Sequence, residues 1–598
     1  MATPEMNAAA ASNVTTTAAA SPSATPHLAR QLTYAQISRQ SSSPHHHARA
    51  AAAVARNTPV SSAVTITDPN DPNKMFANST SNAKSLHKTD EGDDIQSWTT
   101  LDMGGMGLKN ISPALCNYRF LTALYLNHNN LTFLMSWLSQ LDNLKILDVS
   151  GNKLSMLPPE LGLLCNLREF LAFDNNLVSL PSEFGGLYQL ETLGLEGNPI
   201  QADLKNLLIK EGTQAVIMSL RENAPVGMPP PHREWLLVEG DTTDDPDKFT
   251  VLSYNILCQK YATSQLYGYT PSWALSWDYR RELIVSEILG YNPDIFCLQE
   301  LEMAQYEDYF REHFMRMGDY ENIFLPKTRA KTMSEKERRC VDGCAIFYKA
   351  TRFKLIDQEI IEYNQKALAR SDFKQTADIY NRVMNKDNIG IFAMLEDKHT
   401  HQRLLVVNTH THWSPSDGDV KLVQVGMLME EVERFSKKHL KGTDVSYSSC
   451  DQLPLVVCGD FNSTPVSGVY EFLSKGSVQQ NHRDFGDYSY GNYTAEGLSH
   501  PFSLRSSYNS IGELEFTNYT PGYKGTLDYV WYANNTLDVI SILGPIDHDY
   551  ISKVVGFPNA HFPSDHISLM AELKYKPSHK EPVKADFSST LTQNRSKQ

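Results

Sequence analysis

No run of about 18 apolar residues occurs in this 598-residue chain, so nothing in it reads as a membrane-spanning helix. The opening stretch MATPEMNAAAASNV lacks a basic segment followed by an apolar core, and a secretory signal is not expected. Cysteine is scarce. There are eight, Cys116, Cys165, Cys258, Cys297, Cys340, Cys344, Cys450 and Cys458, and none forms a CxxC pair. Cys340 and Cys344 lie close together, but no His or Cys pair follows them at zinc spacing, which argues against a zinc site. Cys297 and Cys458 sit inside apolar runs, so buried free thiols and a reducing compartment are predicted. The expected location is the cytoplasm, with nuclear access left open. Positive charge is also short: 54 Lys and Arg face 69 Asp and Glu, for a net charge of −15 and a pI of about 5.7. A surface of that sign repels polyanions, so any nucleic-acid substrate must be gripped locally.

What is present divides the chain. Its apolar fraction of 41% suits a soluble globular protein, and its length exceeds one hydrophobic core. Residues 1–90, rich in Ala, Ser, Thr, Pro and His, lack apolar periodicity and are expected to be a disordered tail. Within it, His45-His46-His47 reads as low-complexity drift more readily than as a metal site, and a short partner-binding helix around Leu28 to Ile37 is an alternative for part of the segment. Residues 95–222 carry a repeat. Asn129, Asn152, Asn175 and Asn198 are 23 residues apart, each in an LxxLxLxxNxL frame such as LKILDVSGNKL. The alternating leucines predict short strands, and each Asn is placed to satisfy turn backbone of adjacent coils. TLDMGGMGL fits the register with Met106 at the Asn place and is read as the cap. Such a solenoid offers a protein-binding face. Its exposed strand candidates are Tyr125, Lys145, Asp148, Glu169, Phe173 and Glu191. Residues 201–222 read as a helical end cap, 223–234 as a Pro-rich linker, 235–576 as one large domain of alternating strand and helix, and 577–598 as a loose tail.

The large domain repeats one pattern: a hard-oxygen or imidazole side chain closes or follows an apolar run. VLSYN ends in Asn255, DIFCLQE in Gln299-Glu300, LLVVNTH in Asn408 and His410, and LPLVVCGDFN in Asp460 and Asn462; LDYVWY carries Asp528, and PSDHISL carries Asp565 and His566. An α/β fold places its chemistry beyond strand ends. Asp460 and Asn462, two apart, point one way in extended backbone and are suited to orienting a water and holding a phosphate oxygen. A Glu after DIFC is costly if buried unpaired, so Glu300 calls for a cation, and oxygen ligands favour Mg²⁺, with Mn²⁺ as an alternative. Asp528 and Asp565 make an oriented, charged His566 plausible, fit to stabilise charge on a phosphoester transition state. Of His410 and His412, His410 is the expected site residue. The basic run KTRAKTMSEKERR (residues 327–339) fits a substrate-backbone contact and a solvated loop equally.

The motifs SYNIL, LQE, DGCAIFYK, NTHTHW, GDFNSTP, LDYVWY and PSDHISL, in that order, resemble the endonuclease/exonuclease/phosphatase superfamily. With the repeats and PPPHREW, the resemblance narrows to the catalytic poly(A) deadenylases of Ccr–Not complexes and covers about 480 residues. It implies an α/β fold, a leucine-rich-repeat solenoid followed by a four-layered α/β-sandwich nuclease domain. It implies removal of AMP from the 3′ end of poly(A) RNA with two divalent ions. Glu300 is then the principal metal ligand, assisted by Asn255, with Asp565 and Asp460 at the metal end. Asp460 positions or deprotonates water, Asn462 holds the scissile phosphate, and Asp528 orients His566 or assists the second metal. Tyr523, where relatives often have Phe, and Pro415 take the base. The repeats bind a second, DEDD-type deadenylase that bridges to the NOT scaffold. Two other readings stand beside this one: a phosphatase or phosphodiesterase acting on a small nucleotide or phosphoinositide, and a catalytically silent leucine-rich adaptor.

Overall fold

The structure, a computed structural model, describes residues 25–57, 98–238, 245–373, 376–441 and 446–577. It divides into two compact units, 1–227 and 228–598, with the boundary inside the Pro-rich segment. No helix among the described residues is long and apolar enough to cross a membrane.

In the first unit, strands Thr100–Asp102, Ala123–Tyr125, Ile146–Asp148, Glu169–Leu171 and Thr192–Gly194 form one parallel sheet in chain order. The divergent TLDMGGMGL stretch therefore contributes a full first coil. Leu124, Leu147, Phe170 and Leu193 stack in the core with Leu141, Leu144 and Leu154. The Asn ladder is present. Asn152 donates Nδ2 to the carbonyls of Leu126 (3.0 Å) and Val149 (2.9 Å), and its Oδ1 accepts from Leu131 N–H (3.0 Å). Asn129, Asn175 and Asn198 repeat the pattern, and Asn129 reaches back to Met103 O at 2.9 Å. Each amide thus joins neighbouring coils, which gives the constant 23-residue spacing its physical basis. The end cap is two helices, Ala202–Glu211 and Thr213–Glu222, broken at Gly212, whose φ of 90° suits glycine.

Two expectations for this unit need correction. The segment expected to be a disordered tail contains helices Pro26–Gln40 and His46–Asn57. Thr25 caps the first by accepting from Leu28 N–H, and Pro26 starts it. The repeats then hold it by polar groups: Gln31 donates to Leu193 O (2.6 Å) and accepts from Leu195 N–H (3.1 Å), Asn127 donates to Ser41 Oγ (2.9 Å), and Ala48 N–H donates to Asp102 (2.9 Å). A composition poor in large apolar residues hid these helices, because hydrogen bonds anchor them. The helix around Leu28 to Ile37 is there, but its Gln31, Ala35 and Ser38 face this chain's own repeats. The rest of the 1–90 segment, and residues 578–598, lie outside the described residues.

The second correction concerns the partner-binding candidates. Asp148 and Phe173 are buried. The Phe173 ring fills the space beside Gly194, where a Cβ would come within 2.4 Å of it. Tyr125 is half-buried under the stacked ring of His47, centroids 3.9 Å apart, so the His triplet has a packing role. Lys145 and Glu191 are exposed and Glu169 partly so.

The second unit is a four-layered sandwich. A seven-stranded sheet runs in the order Trp235–Leu237, Leu537–Leu543, Leu569–Tyr575, Lys248–Asn255, Ile295–Glu302, Asp342–Lys349, Tyr320–Pro326. A six-stranded sheet runs Phe353–Glu362, Ile389–Asp397, Arg403–His410, Leu455–Asp460, Asp528–Ala533, Leu504–Ser506. A shared core with Val251, Ile295 and Cys297 from one sheet and Val406, Val456 and Cys458 from the other lies between them. On one outer face Ile284 and Ile288 of helix Trp277–Tyr291 cover Leu252 and Leu298; on the other, helix Gly418–Lys438 covers Val407 and Val457. Strands buried on both sides read as continuous apolar runs, as residues 295–298 and 455–458 do.

Gln299 and Asn408, both fully buried, join the two sheets. Gln299 Nε2 donates to Asn408 Oδ1 (2.8 Å), and Asn408 Nδ2 donates to the carbonyls of Leu298 (2.9 Å) and Ala345 (2.8 Å). These two strand-end amides are therefore structural.

Candidate active site

Register brings the strand ends together. Asn255 pairs with Gln299 in the parallel ladder of the first sheet. In the second, Asp460 faces His410 on one side and Asp528 on the other. Asp565 and His566 precede strand Leu569–Tyr575, whose Leu569 pairs with Ser253. One edge of the sandwich thus collects Asn255, Glu300, His410, Asp460, Asp528, Asp565 and His566.

Asn255 is the hinge of the cluster. Its Nδ2 donates to Asp460 Oδ2 (2.9 Å) and Glu300 Oε1 (3.3 Å), drawing carboxylates of both sheets onto one amide. Glu300 Oε2 accepts from Cys258 N–H at 3.0 Å. Glu300 keeps one face toward solvent, yet desolvation and the charges of Asp342 and Asp565 push its carboxyl up to about 7. Burial, followed by the neighbouring Asp528, also raises Asp460. Carboxylates held this close disfavour joint ionisation, and a bound cation would relieve that repulsion. Glu300 (φ 59°) and Asn462 (φ 47°) both adopt left-handed backbone, uncommon for side-chain-bearing residues and concentrated at functional positions.

His566 donates Nδ1 to Asp528 Oδ2 at 2.7 Å, and its Nε2 lies 3.7 Å from Asp460 Oδ2. Burial would lower this imidazole, but Asp528, Asp565 and Asp460 together hold it well above the ordinary value, which favours the charged form. His410 differs: its Nε2 is 3.6 Å from Asp460 Oδ2, and burial and the nearby Lys327 lower it to about 4, leaving it neutral. Asp460, Asp528 and His566 can bring one ligand atom each within 4.8 Å of one another. Hard divalent cations prefer oxygen donors, so the oxygen set Glu300, Asn255, Asp460 and Asp565 fits such an ion better than one that includes an imidazole. Asp565 accepts from Tyr267 OH (2.9 Å) and Asn518 Nδ2 (3.1 Å).

Asn462 follows Asp460 in an Asx-turn, its N–H bonded to Asp460 Oδ1 at 2.9 Å; it stands in left-handed backbone past the strand end, not in the extended backbone expected for the pair. Its Nδ2 makes only a 3.3 Å bond to Thr411 O, leaving a donor at the site's edge. That bond ties the following loop, with exposed Pro415, to Asn462. Tyr523 is half-buried, and its hydroxyl is buried without a partner. His412 is engaged by Asp417 at 3.0 Å and serves the loop. The basic run is largely neutralised: Lys327 and Arg329 pair with Asp342 (2.6 and 2.5 Å) and Arg339 with Glu307 (2.8 Å).

Several residues at the site carry no sequence signal. Thr517 donates Oγ1 to Asp528 Oδ2 at 2.6 Å while accepting from Leu527 and Asp528 N–H, and so fixes the carboxylate that holds His566. Tyr267 and Asn518, distant from Asp565 in sequence, do the same for Asp565. Lys421 donates to Asn462 O at 2.7 Å. Trp413 stands 71% exposed on the Pro415 loop, and its position in NTHTHW was the one available hint.

Residues 252–566 match the Endonuclease/Exonuclease/phosphatase family, and residues 143–164 match the Leucine Rich Repeat family. Among curated proteins, the chain is 52% identical to the "CCR4-Not complex 3'-5'-exoribonuclease subunit Ccr4" of Mycosarcoma maydis, over 92% of this chain and 90% of that protein. Proteins of the same name from Schizosaccharomyces pombe and Coccidioides immitis are 50% and 46% identical, over 82% and 94% of this chain and 76% and 77% of theirs. Among solved structures, ANGEL2, a 2',3'-cyclic phosphatase, is 26% identical with a TM-score of 0.45, over 57% of this chain and 98% of that one. The buried carboxylates and imidazoles gathered at one sandwich edge, the repeat array ahead of them, the family match over residues 252–566 and the curated relatives place the chain in the endonuclease/exonuclease/phosphatase family, in the branch whose curated members are named CCR4-Not 3'-5'-exoribonuclease subunits.

Proposed function

We propose that the chain is a poly(A)-specific 3′-exoribonuclease that shortens mRNA tails by releasing AMP, working as a subunit of a CCR4-Not complex. The observation that carries this reading is the convergence of Glu300 and Asp460 on the Asn255 amide beside the hydrogen-bonded Asp528–His566 pair, in a chain half identical to proteins of that name. Glu300, Asn255, Asp565 and Asp460 are the residues that would hold Mg²⁺, or Mn²⁺, and two ions fit the number of oxygens. Bound there, the metal supplies neutralisation of phosphate charge. The chain's own groups do the rest. Asp460 orients the attacking water and accepts its proton. Asn462 donates Nδ2 to a non-bridging oxygen of the scissile phosphate. His566, kept protonated by Asp528, donates to the phosphate oxygens as negative charge develops, and neutral His410 supports Asp460. Tyr523 and Pro415 flank the terminal adenine, with Trp413 as a second stacking surface.

A 5′-labelled RNA ending in about twenty adenosines after a mixed sequence tests this reading. A Mg²⁺-dependent ladder that stops at the mixed sequence is expected. Release of inorganic phosphate from small nucleotides with no ladder would favour the small-phosphoester alternative.

The repeats are the docking arm, and a second, DEDD-type deadenylase bridging to the NOT scaffold is the proposed partner. Lys145, Glu169 and Glu191 are the accessible contacts; Asp148, Phe173 and Tyr125 are shielded by this chain's own packing. All eight cysteines are free, which supports a reducing compartment, and we place the protein in the cytoplasm with access to the nucleus.

A further inference from the structure

Arg280, in the first turns of helix Trp277–Tyr291, is fully buried. A buried cation ordinarily takes a carboxylate partner. Among the described residues none lies within ion-pairing distance of Arg280; its guanidinium bonds almost entirely to backbone carbonyls. Nη1 donates to Ile256 O (3.1 Å), Leu257 O (2.9 Å) and Pro563 O (2.9 Å). Nη2 donates to Leu257 O (2.9 Å) and Gln259 Oε1 (3.2 Å), and Nε to Leu275 O (3.4 Å).

The carbonyls of Ile256, Leu257 and Pro563 belong to the two loops that carry the oxygen cluster, and Leu275 O to the short helix Ser272–Leu275 ahead of Arg280. Leu257, held in left-handed backbone at φ 53°, donates its N–H to Asn255 Oδ1 (3.1 Å), and the next residue, Cys258, donates its N–H to Glu300. Pro563 precedes Ser564, whose hydroxyl donates to Asn255 O (2.7 Å) and accepts from His566 N–H (3.1 Å). One planar fork therefore grips, from behind, the loop that sets Asn255 and Glu300 and the loop that sets Asp565 and His566. Its fixed charge also stands behind a group of carboxylates.

We propose that Arg280 is a positioning residue that clasps these two loops and so sets the geometry with which Glu300, Asn255 and Asp565 take a divalent cation. This rests on the metal-dependent reading above. A lysine keeps the charge but has no planar fork to span carbonyls on both loops, and a methionine keeps only bulk.

The test uses the full chain with Arg280→Lys and Arg280→Met, stripped of metal and titrated calorimetrically with Mn²⁺, alongside near-ultraviolet circular dichroism and kcat and KM on the adenosine-tailed RNA. Loss of a group supporting metal ligands typically costs about 10–100-fold in affinity or activity. We expect Mn²⁺ affinity and kcat to fall together by such a factor in folded protein, with Arg280→Lys the milder, while KM for RNA changes little. A lowered melting temperature with unchanged Mn²⁺ affinity would make Arg280 a purely structural residue and overturn the proposal. Where Arg280→Met does not fold, Arg280→Lys decides. Failure of the wild-type chain to bind Mn²⁺ would instead overturn the metal reading itself.

Discussion

In the repeats, Asn152 engages its whole carboxamide with the backbone of neighbouring coils, and Asn129, Asn175 and Asn198 do likewise. In the nuclease unit, Asp528 Oδ1, His410 Nδ1 and the Tyr523 hydroxyl are buried with no partner. The asparagine ladder is a closed set of buried polar groups, and the cluster at the sandwich edge is an open one. A closed set stabilises the fold, because each amide offsets its own desolvation. An open set costs stability and retains valences for a cation, a water and a phosphate. Variants that exchange these characters separate the two roles.

The largest effect is expected for Glu300→Ala. It should lower turnover by about 10²–10³-fold or more, the range seen when one charge-stabilising group is removed from a site. Because a repelled carboxylate goes with it, the melting temperature should hold or rise; a large drop would mean that Glu300 is structural. Asn152→Ala is the mirror case. It leaves Leu131 N–H without its acceptor, at about 1–3 kcal/mol for one buried unsatisfied group, while the Leu126 and Val149 carbonyls keep donors in Asn129 and Asn175. Urea titration of the repeat transition should show that loss, with kcat on naked RNA unchanged.

Asp148 breaks the pattern within the repeats, since burial pushes its carboxyl up to about 6. A carboxyl raised on folding contributes stability that is complete below its unfolded value near 4 and is lost as pH climbs through about 6. Asp148→Asn keeps the acceptor for Ser150 N–H and removes that loss. The variant should therefore match the wild type near pH 4 and exceed it by about 3 kcal/mol at pH 7, from two pH units at roughly 1.4 kcal/mol each. Equal stability at both pH values would show that the carboxyl is already well compensated. The smallest effect is expected for Thr517→Val, which frees Asp528 without touching the cation ligands. A fall in kcat of about 10-fold, at the low end for a supporting hydrogen bond, with unchanged Mn²⁺ affinity would place Thr517 behind His566.

The solenoid was legible because its constraint is local and periodic. Leu124, Leu147 and Leu193 repeat at the spacing of the Asn ladder, and one coil predicts the next. The site was legible as a set of residue types: Asn255, Glu300, His410, Asp460, Asp528, Asp565 and His566 all follow or open apolar strands, and the structure gathers all seven. Its supports were not. Thr517, Tyr267, Asn518 and Arg280 reach their partners across long stretches of chain, with no spacing rule to expose them. Gln299 and Asn408 looked like site residues because they end the same strands; only the facing of the two sheets turns them into a cross-link. The N-terminal helices stayed hidden because polar anchoring leaves no apolar period, and their presence is what buries part of the expected docking face.

Residue type and spacing alone set the repeat register and showed which oxygen- and nitrogen-bearing side chains close or open the apolar strands. These follow from side-chain type and chain-local geometry. Three-dimensional packing set the opposite electrostatic settings of His566, raised, and His410, lowered, the convergence of Glu300 and Asp460 on Asn255, and the burial of Asp148 and Phe173. Each depends on which groups from distant segments share a water-poor volume, and electrostatic coupling there is set by ångström-scale separation rather than by position along the chain.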